Sequence, residues 1–176
     1  MKYKLEHVFI GIPIPGWLGH ARPFDFELGY EAALGMQAFV TSSPSILALA
    51  ALDGALDIWS KTTMAEVRTK SLALTDLFIA LVEERLPGEF EVVTPREHKK
   101  RGSQVALRHV ESYGIVQALI ERGVIGDFRD PDMCRLGFTP LYLGFVDVYD
   151  AVERLVDVMN SKAYNDPRFK VRNAIT

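Results

Sequence analysis

The order of periodic segments between residues 43 and 161 most constrains how this chain can fold. Two helical patterns come first, two short strand patterns flank a basic loop, and a helix, two more strand patterns and a last helix follow. This order predicts a small α/β sandwich, in which helices cover one face of a mixed or antiparallel sheet of about four strands. Residues 1–42 have little such periodicity beyond a short strand predicted over residues 8–12, and they are predicted to be an entry segment to a domain formed by residues 43–176.

The first two helices have recognisable starts. Ser43 followed by Pro44 predicts a helix with a side-chain cap and proline in its first position. This helix is apolar on nearly all sides, so we expect it to be buried. Thr63 and Glu66 have the spacing of a capping box, which predicts a second helix that continues to Arg85.

The remaining elements are predicted from apolar periodicity and glycine stops. A third helix begins near Ser112, and its apolar residues, Ile120 among them, are predicted to point inward. It ends at Gly123, a residue type that tolerates the left-handed conformation after a helix. Strands are predicted over residues 90–94, 103–108, 124–128 and 132–138, and a last helix from about 145 to 161.

Composition argues against several classes of protein. The chain has 176 residues, 48% of them hydrophobic, and a net charge of −3, with acidic and basic residues interspersed. These values are typical of a globular protein and favour neither a nucleic-acid nor a membrane partner. The one cysteine, Cys134, excludes an internal disulfide framework and predicts a buried reduced thiol in a cytoplasmic protein. No segment near the start has the apolar core of a signal peptide.

The densest group of basic residues lies between the first two predicted strands. We interpret it as a solvated hairpin loop, and nucleic-acid binding is the alternative. The histidines show no spacing typical of metal ligands, so no metal site is predicted. The basic residues are Arg96, His98, Lys99, Lys100 and Arg101.

Arg135 is the one charged residue in the apolar run 133–138. Burying a guanidinium costs free energy unless a carboxylate, a phosphate or several acceptors meet it. An arginine in this predicted strand therefore indicates a bound planar anion. The alternative is an internal ion pair with Asp127, Asp130 or Asp132, and the residues alone leave both interpretations open.

Several spaced segments give the chain a specific likeness to one enzyme family. The likeness extends over nearly everything from residue 16 to residue 176. On these segments the chain resembles the C-terminal part of kynureninase, nearest to its bacterial members, in the fold type I, class V aminotransferase-like superfamily of pyridoxal 5'-phosphate (PLP) enzymes. The segments are residues 16–20, 70–75, 94–96, 101–104, 122–127 and 137–142.

The resemblance implies a reaction and a set of site residues. Kynureninases hydrolyse kynurenine or 3-hydroxykynurenine to anthranilate or 3-hydroxyanthranilate plus alanine, in tryptophan catabolism and NAD biosynthesis. By resemblance, Arg135 binds the substrate α-carboxylate and Thr41 lies beside the substrate ring. Trp17 lines the cofactor phosphate or substrate pocket, and Ser42 binds the PLP phosphate of the neighbouring subunit. A helix cap is the alternative role for the hydroxyls near Ser43.

Two features of the family are not found among the 176 residues. The family binds PLP as a Schiff base to a lysine, and an aspartate holds the pyridinium nitrogen. Lys4 lies in a segment that only faintly resembles the lysine motif and is too close to Trp17. We therefore expect a small C-terminal domain, with residues 1–42 as the edge of a large domain, inactive alone and without a catalytic residue of its own.

The expected partners follow from the same resemblance. They are kynurenine as a small-molecule substrate and either a second copy in a homodimer or a separate chain that carries the large domain. Two other classes are weighed against the enzyme fragment. One is a non-catalytic interaction or structural module derived from kynureninase, and the weaker one is a PLP-dependent aminotransferase-like relative.

Overall fold

The structure is a computed structural model that describes residues 14–169 and 171. Lys4 and the strand predicted near residues 8–12 lie outside the described residues. The chain forms two compact units, Met1–Lys61 and Thr62–Thr176, and each is described by itself. The division at residue 42 that the sequence suggests stays a prediction.

The described part of the first unit consists of short turns followed by one helix. Two 3-10 turns span Trp17–Gly19 and Gly35–Phe39, and helix α1 spans Ile46–Trp59. The Ser45 hydroxyl, and not that of Ser43, caps α1 by accepting the Ala48 N–H at 3.4 Å. The predicted cap is therefore wrong by two residues, because the extended residue whose hydroxyl reaches the first turn is Ser45.

Helix α1 corrects a second prediction, since none of its residues is buried. Leu47 is 84% exposed and Leu52 is 53% exposed. The prediction failed because an apolar sequence shows that a helix needs partners, but it does not place those partners in the same chain. No helix in the ranges 14–169 and 171 is long and apolar enough to cross a membrane.

The second unit has the predicted order of helices and strands. Its long first helix begins after Thr63, whose hydroxyl and Glu66 form the predicted capping box. The last helix has the predicted bounds. The elements are α2 (Met64–Arg85), β1 (Glu91–Val92), β2 (Gln104–Arg108), α3 (Ser112–Glu121), β3 (Asp127–Arg129), β4 (Met133–Gly137) and α4 (Phe145–Ser161).

The four strands form one antiparallel sheet in the order β1-β2-β4-β3. The predicted small α/β domain is thereby confirmed. Of the mixed and antiparallel sheets that the sequence allowed, the structure has the antiparallel one. In the register of this sheet, Arg135 on β4 lies opposite Ala106 on β2 and opposite Asp127 on β3. These three residues form one row across the middle of the sheet.

The core lies between one face of the sheet and helices α2, α3 and α4. Ile120, predicted to point inward, is 41% exposed, because α3 turns that side away from the sheet. Its neighbour Leu119 is fully buried. The other face of the sheet has no helix of this unit over it and carries polar residues. The largest fully buried side chains include Leu74, Phe78, Leu107, Ile115, Leu119 and Leu155.

Candidate functional site

Strand alternation explains the arginine in the apolar run of β4. Successive side chains of a strand point to opposite faces, so Cys134 and Leu136 enter the core while Arg135 stands on the open face. The Arg135 side chain is 29% exposed. The premise of a buried guanidinium is therefore wrong, since this arginine stands on the polar side of a half-covered sheet.

Asp127 is the carboxylate that meets Arg135. Arg135 Nε donates to Asp127 Oδ1 at 2.8 Å, and Nη2 donates to Oδ2 at 2.5 Å. Of the three aspartates considered from the sequence, the cross-strand register selects this one. The pair is not closed to solvent, because the Asp127 side chain is 45% exposed.

A second arginine gives this group a net positive charge. Arg129 Nη2 lies 3.3 Å from Asp127 Oδ2, so two guanidiniums share one carboxylate. Hydrogen bonding from Arg135 lowers the pKa of Asp127, against the opposing effect of burial, and the charge of Arg129 adds to the lowering. The same bond raises the pKa of Arg135. At neutral pH the group therefore holds two positive charges and one negative charge.

One edge of the Arg135 guanidinium has no hydrogen-bond partner among the described residues. The edge formed by Nε and Nη2 is used by Asp127, and Nη1 has no hydrogen bond to any other described residue. Ala106 flanks Arg135 on the neighbouring strand, and its small side chain leaves room above the sheet. Arg135 can therefore still offer a planar pair of donors to an anion.

Two shallow clefts adjoin Arg135 on this face. The larger, of about 320 Å³, lies between Arg135, Ala106 and the basic loop. The smaller, of about 210 Å³, also includes Asp127 and Gln104. Arg135 is common to both, which places it where a small ligand on the open face would meet it.

The basic loop forms one wall of the larger cleft and is fastened to helix α2 by Asp76. The Arg101 side chain is only 1% exposed and pairs with Asp76 through Nη2. His98 Nε2 lies 2.9 Å from the other oxygen of Asp76. Arg101 Nε is buried and has no hydrogen-bond partner among the described residues. The burial of Arg101 corrects the prediction of a wholly solvated loop.

Other charges of the basic loop are also paired within the unit. Arg96 contacts Glu83 of α2 with two nitrogens, and Lys100 lies 2.8 Å from Glu97. Hydrogen bonding by Arg96 is the main cause that lowers the pKa of Glu83. Since acidic neighbours already neutralise these residues, the cluster offers little unbalanced charge to a nucleic acid.

In the first unit, the loop around Trp17 packs against the segment that leads into α1. A Cβ atom built on Gly16 would collide with the backbone of Thr41, so only glycine permits this approach. Trp17 is 57% exposed, its ring contacts Phe24 edge to face at 5.3 Å, and its indole N–H donates to the Pro23 carbonyl. The structure thus brings the loop of Trp17 next to Thr41.

Thr41 and Ser42 are exposed and lie five and four positions before Ile46, the first residue of α1. The described residues include no hydrogen-bond partner for the Ser42 hydroxyl. Arg135 belongs to the second unit, so these residues and Arg135 are each described within their own unit. Their roles stay predictions.

Several other candidates have structural roles. His20 Nδ1 accepts the Arg22 N–H at 2.8 Å, and His109 Nδ1 accepts the Glu111 N–H at 2.9 Å. Burial raises the pKa of the Cys134 thiol to about 12, which keeps it protonated. In the described part of the chain, no three metal-ligating side chains come together.

A further cleft of about 390 Å³ lies between the end of β4 and the start of α4. Its wall combines apolar residues such as Leu136 and Phe138 with Asp150 and Arg154. None of the residues predicted from the sequence lines it. The open sheet face is the better candidate site, because Arg135 there has a donor edge without a partner among the described residues.

Comparison with known proteins identifies the family. Residues 67–155 match the family described as kynureninase C-terminal domain. The chain is 48% identical over 165 residues to a kynureninase of Pseudomonas fluorescens, covering 93% of this chain and 40% of that protein. Kynureninases of Burkholderia mallei and Burkholderia pseudomallei are 46% identical over the same length and coverage.

The matched region begins inside α2 and ends inside α4, so it includes all four strands and α3. It therefore also includes the row of Ala106, Arg135 and Asp127 across the sheet. The chain spans about 40% of the length of the curated relatives it matches. The expected likeness to the C-terminal part of kynureninase is confirmed, and the match does not favour the alternative of a non-catalytic interaction or structural module derived from kynureninase. On these grounds, the chain belongs to the kynureninase C-terminal domain family.

Proposed function

We propose that this chain supplies the substrate-carboxylate site of a PLP-dependent kynureninase. In the proposed reaction, water is added across the Cβ–Cγ bond of kynurenine or 3-hydroxykynurenine. The ring-bearing carbonyl carbon takes the hydroxyl and leaves as anthranilate or 3-hydroxyanthranilate, and the other fragment takes the proton and leaves as alanine. The observation that supports this most directly is the free edge of Arg135 beside a cleft on the open sheet face.

Arg135 suits an α-carboxylate for geometric reasons. A carboxylate and a guanidinium edge are both planar, so two parallel hydrogen bonds fix the orientation of the ligand as well as its position. The net positive charge of the group made by Arg129, Asp127 and Arg135 favours an added anion. A lysine at position 135 would offer charge without this two-point geometry.

Asp127 acts in this proposal as the residue that orients Arg135. By holding Nε and Nη2, it fixes the plane of the guanidinium and leaves the opposite edge for the substrate. The hydrogen bonds from Arg135 lower the pKa of Asp127, so Asp127 and a kynurenine carboxylate are both ionised at neutral pH. Asp127 is therefore a positioning residue.

The residues before α1 fit the phosphate end of PLP. The exposed hydroxyls of Thr41 and Ser42 lie a few positions before α1 in the sequence. Hydroxyls together with first-turn helix N–H groups, which lack intrahelical partners, form a donor set suited to a phosphate. The Trp17 indole N–H is already bonded to Pro23, so we assign Trp17 a wall of the pocket and not a phosphate bond. When bound, PLP supplies the electron sink of the reaction.

The proposed site needs groups beyond those of this chain. The Schiff-base lysine and the pyridinium aspartate of the family are not among its residues, so we propose that another polypeptide region contributes them. The proposed partner is either a second copy in a homodimer or a separate large-domain chain. A cytoplasmic location is part of the same proposal, which involves neither nucleic acid nor membrane.

Carboxylate binding by the chain tests the proposal without requiring turnover. We would titrate kynurenine and alanine into the protein at low salt and follow the arginine Nε–H signals by NMR. We expect saturable changes at Arg135 with both ligands, because they share the α-carboxylate. Arg135→Ala should abolish binding, and Arg135→Lys should weaken it at least about tenfold.

Arg108 provides the matched control. It stands on the same sheet face and pairs with Glu91, but it adjoins neither cleft at Arg135. Arg108→Ala should leave the affinity for kynurenine unchanged. Equal responses of Arg108 and Arg135, or unchanged affinity in Arg135→Ala, would show that Arg135 is not the carboxylate site.

A further inference from the structure

The open face of the sheet carries a long polar side chain that belongs to no ion pair. Gln104 on β2 is exposed, and its side-chain amide has no hydrogen-bond partner among the described residues. Gln104 and Arg135 are the two residues that line both the cleft of about 320 Å³ and the cleft of about 210 Å³. An amide with free donors and a free acceptor therefore borders the same space as the arginine.

The register of the sheet places Gln104 diagonally across from Arg135. Gln104 lies opposite Gly137, and Ala106, on the same face of β2, lies opposite Arg135. These four residues form a square, with the two long polar side chains on one diagonal and the two small residues on the other. Cβ atoms on such a diagonal are about 7 Å apart, so long side chains can reach a common ligand between them.

The two small residues leave the floor of the square open. A Cβ atom added at Gly137 would have Gln104 Cγ, at 4.0 Å, as its nearest contact, which is an ordinary van der Waals distance. Gly137 also has no positive φ that would demand glycine. Because glycine weakens a strand, its place here is typical of a site where a ligand approaches the backbone.

The free nitrogen of Arg135 is the one farthest from β3. Strand β4 lies between β3 and β2, and Asp127 on β3 holds Nε and Nη2. Nη1 is therefore available on the side where β2 carries Gln104. Gln104 and Arg135 make no hydrogen bond to each other. Two donors that bond to one carboxylate oxygen lie about 5 Å apart, since each N···O distance is about 2.9 Å, so the diagonal suits an intervening carboxylate.

We propose that Gln104 is a second binding residue for the α-carboxylate of the substrate. The free edge of Arg135 donates to the carboxylate oxygens, and the Gln104 amide N–H donates to a remaining lone pair of the nearer oxygen, above the floor made by Ala106 and Gly137. A neutral donor suffices here, because the group around Arg135 already has a net positive charge. This inference rests on the proposed function, since it takes Arg135 as the carboxylate site.

NMR of the wild-type chain tests the contact directly. The sequence has three glutamines, Gln37, Gln104 and Gln117, so substitution can assign their side-chain amide signals. We would titrate alanine and kynurenine at low salt and expect the Gln104 amide signals to shift with the same dissociation constant as the Nε–H signal of Arg135. Gln117 lies on α3, on the covered side of the sheet, and its signals should not shift. Alaninamide, which lacks the carboxylate, should give no saturable change at Gln104.

Three variants measure the contribution to affinity. Gln104→Leu keeps a similar volume without the donor and should weaken kynurenine binding about tenfold, the effect of one hydrogen bond to a charged group. Gln104→Glu should weaken it further, because it places a second negative charge beside the carboxylate. Gly137→Val should also weaken binding at least about tenfold by filling the floor, with unchanged circular dichroism. Gln117→Leu is the matched control and should leave the affinity unchanged.

The outcomes distinguish this inference from the proposed function. If Arg135→Ala abolishes binding and Gln104→Leu binds as tightly as the wild type, Gln104 is not a carboxylate ligand, and the proposed function stands. Lower affinity in Gln104→Leu without any shift of the Gln104 amide signals in the wild type would show an indirect effect and would also overturn the inference. If the Arg135 signal responds to neither ligand, the proposed function is refuted, and the role of Gln104 is refuted with it.

Discussion

The ion pair that fastens the basic loop to α2 leads to a stability prediction. Asp76→Ala removes the acceptor of Arg101 and leaves a guanidinium whose side chain is 1% exposed without a charge partner. Arg101 Nε already lacks an acceptor in the described residues. Taking one partner from a buried pair costs about 3–5 kcal/mol, and an exposed pair contributes at most about 1 kcal/mol.

The expected loss lies between these limits. The Asp76 side chain is 47% exposed, so water screens the pair and can partly replace the lost carboxylate. We therefore expect Asp76→Ala to lower the free energy of unfolding by about 1.5–3 kcal/mol. In urea this is a midpoint shift of about 1 M, given slopes of about 1–3 kcal/mol/M.

The assay must report on the second unit. Both tryptophans, Trp17 and Trp59, lie in the first unit, so far-UV circular dichroism is the better signal, because α2, α3 and α4 dominate it. Glu83→Ala is the matched control on the same helix, since Glu83 and Arg96 are both about half exposed. It should cost clearly less than Asp76→Ala.

A double variant decides whether the unpaired charge is the cause. Asp76→Ala combined with Arg101→Met removes the guanidinium as well and should recover part of the lost stability. If Asp76→Ala costs no more than Glu83→Ala, or if the double variant is no more stable than Asp76→Ala alone, the reasoning from burial of Arg101 is wrong.

The ion pair of Asp76 and Arg101 also predicts how the stability of the second unit depends on pH. Burial acts to raise the pKa of Asp76, but hydrogen bonding and the charge of Arg101 outweigh it, so the folded-state pKa is lowered. The stabilisation is complete above the unfolded-state pKa of about 3.9 and disappears as the pH falls through the folded-state value. The difference in stability between the wild type and Asp76→Asn should therefore shrink as the pH falls below about 4.

Three further variants or modifications probe the core of the second unit. Phe78→Ala should cost about 3–5 kcal/mol in urea unfolding, because Phe78 is fully buried, and Tyr142→Ala, at 76% exposure, should be close to neutral. Cys134, with a thiol pKa of about 12, should resist a thiol reagent at neutral pH until the protein unfolds, and fast labelling of the folded protein would contradict its burial. Gly114→Ala should lower the melting temperature, because the added Cβ would lie 2.5 Å from the Tyr164 carbonyl oxygen. A higher melting temperature would show that the Tyr164 backbone moves away from the new methyl group at little cost.

Local patterns predicted the elements of the second unit well. The capping box at Thr63 and Glu66 fixed the start of α2, and Gly123, with φ of +79°, follows the end of α3 as a left-handed stop. Such signals depend on neighbouring residues and can be identified in any sequence. The start of α1 was misplaced because three serines flank Pro44 and each can supply a capping hydroxyl.

Long-range pairs could not be predicted in this way. Asp76 and Arg101 are 25 positions apart, and the local sequence of α2 does not distinguish Asp76 from a solvent-exposed aspartate. For Arg135, the sequence limited the partner to three aspartates, and only the register of β3 against β4 selected Asp127. Strand register depends on packing across the whole sheet, so it lies beyond pattern analysis.

The two arginine–aspartate pairs of the second unit differ in burial, and this difference suits different tasks. Arg101 is almost wholly enclosed, so its pair with Asp76 holds the basic loop as a fixed wall of the cleft. Arg135 and Asp127 are both partly exposed, and one edge of the Arg135 guanidinium has no described partner. A ligand can reach that edge without breaking a buried pair. The proposed binding of a carboxylate on this face would therefore require little reorganisation of the domain, which is what a binding site on a preformed sheet should provide.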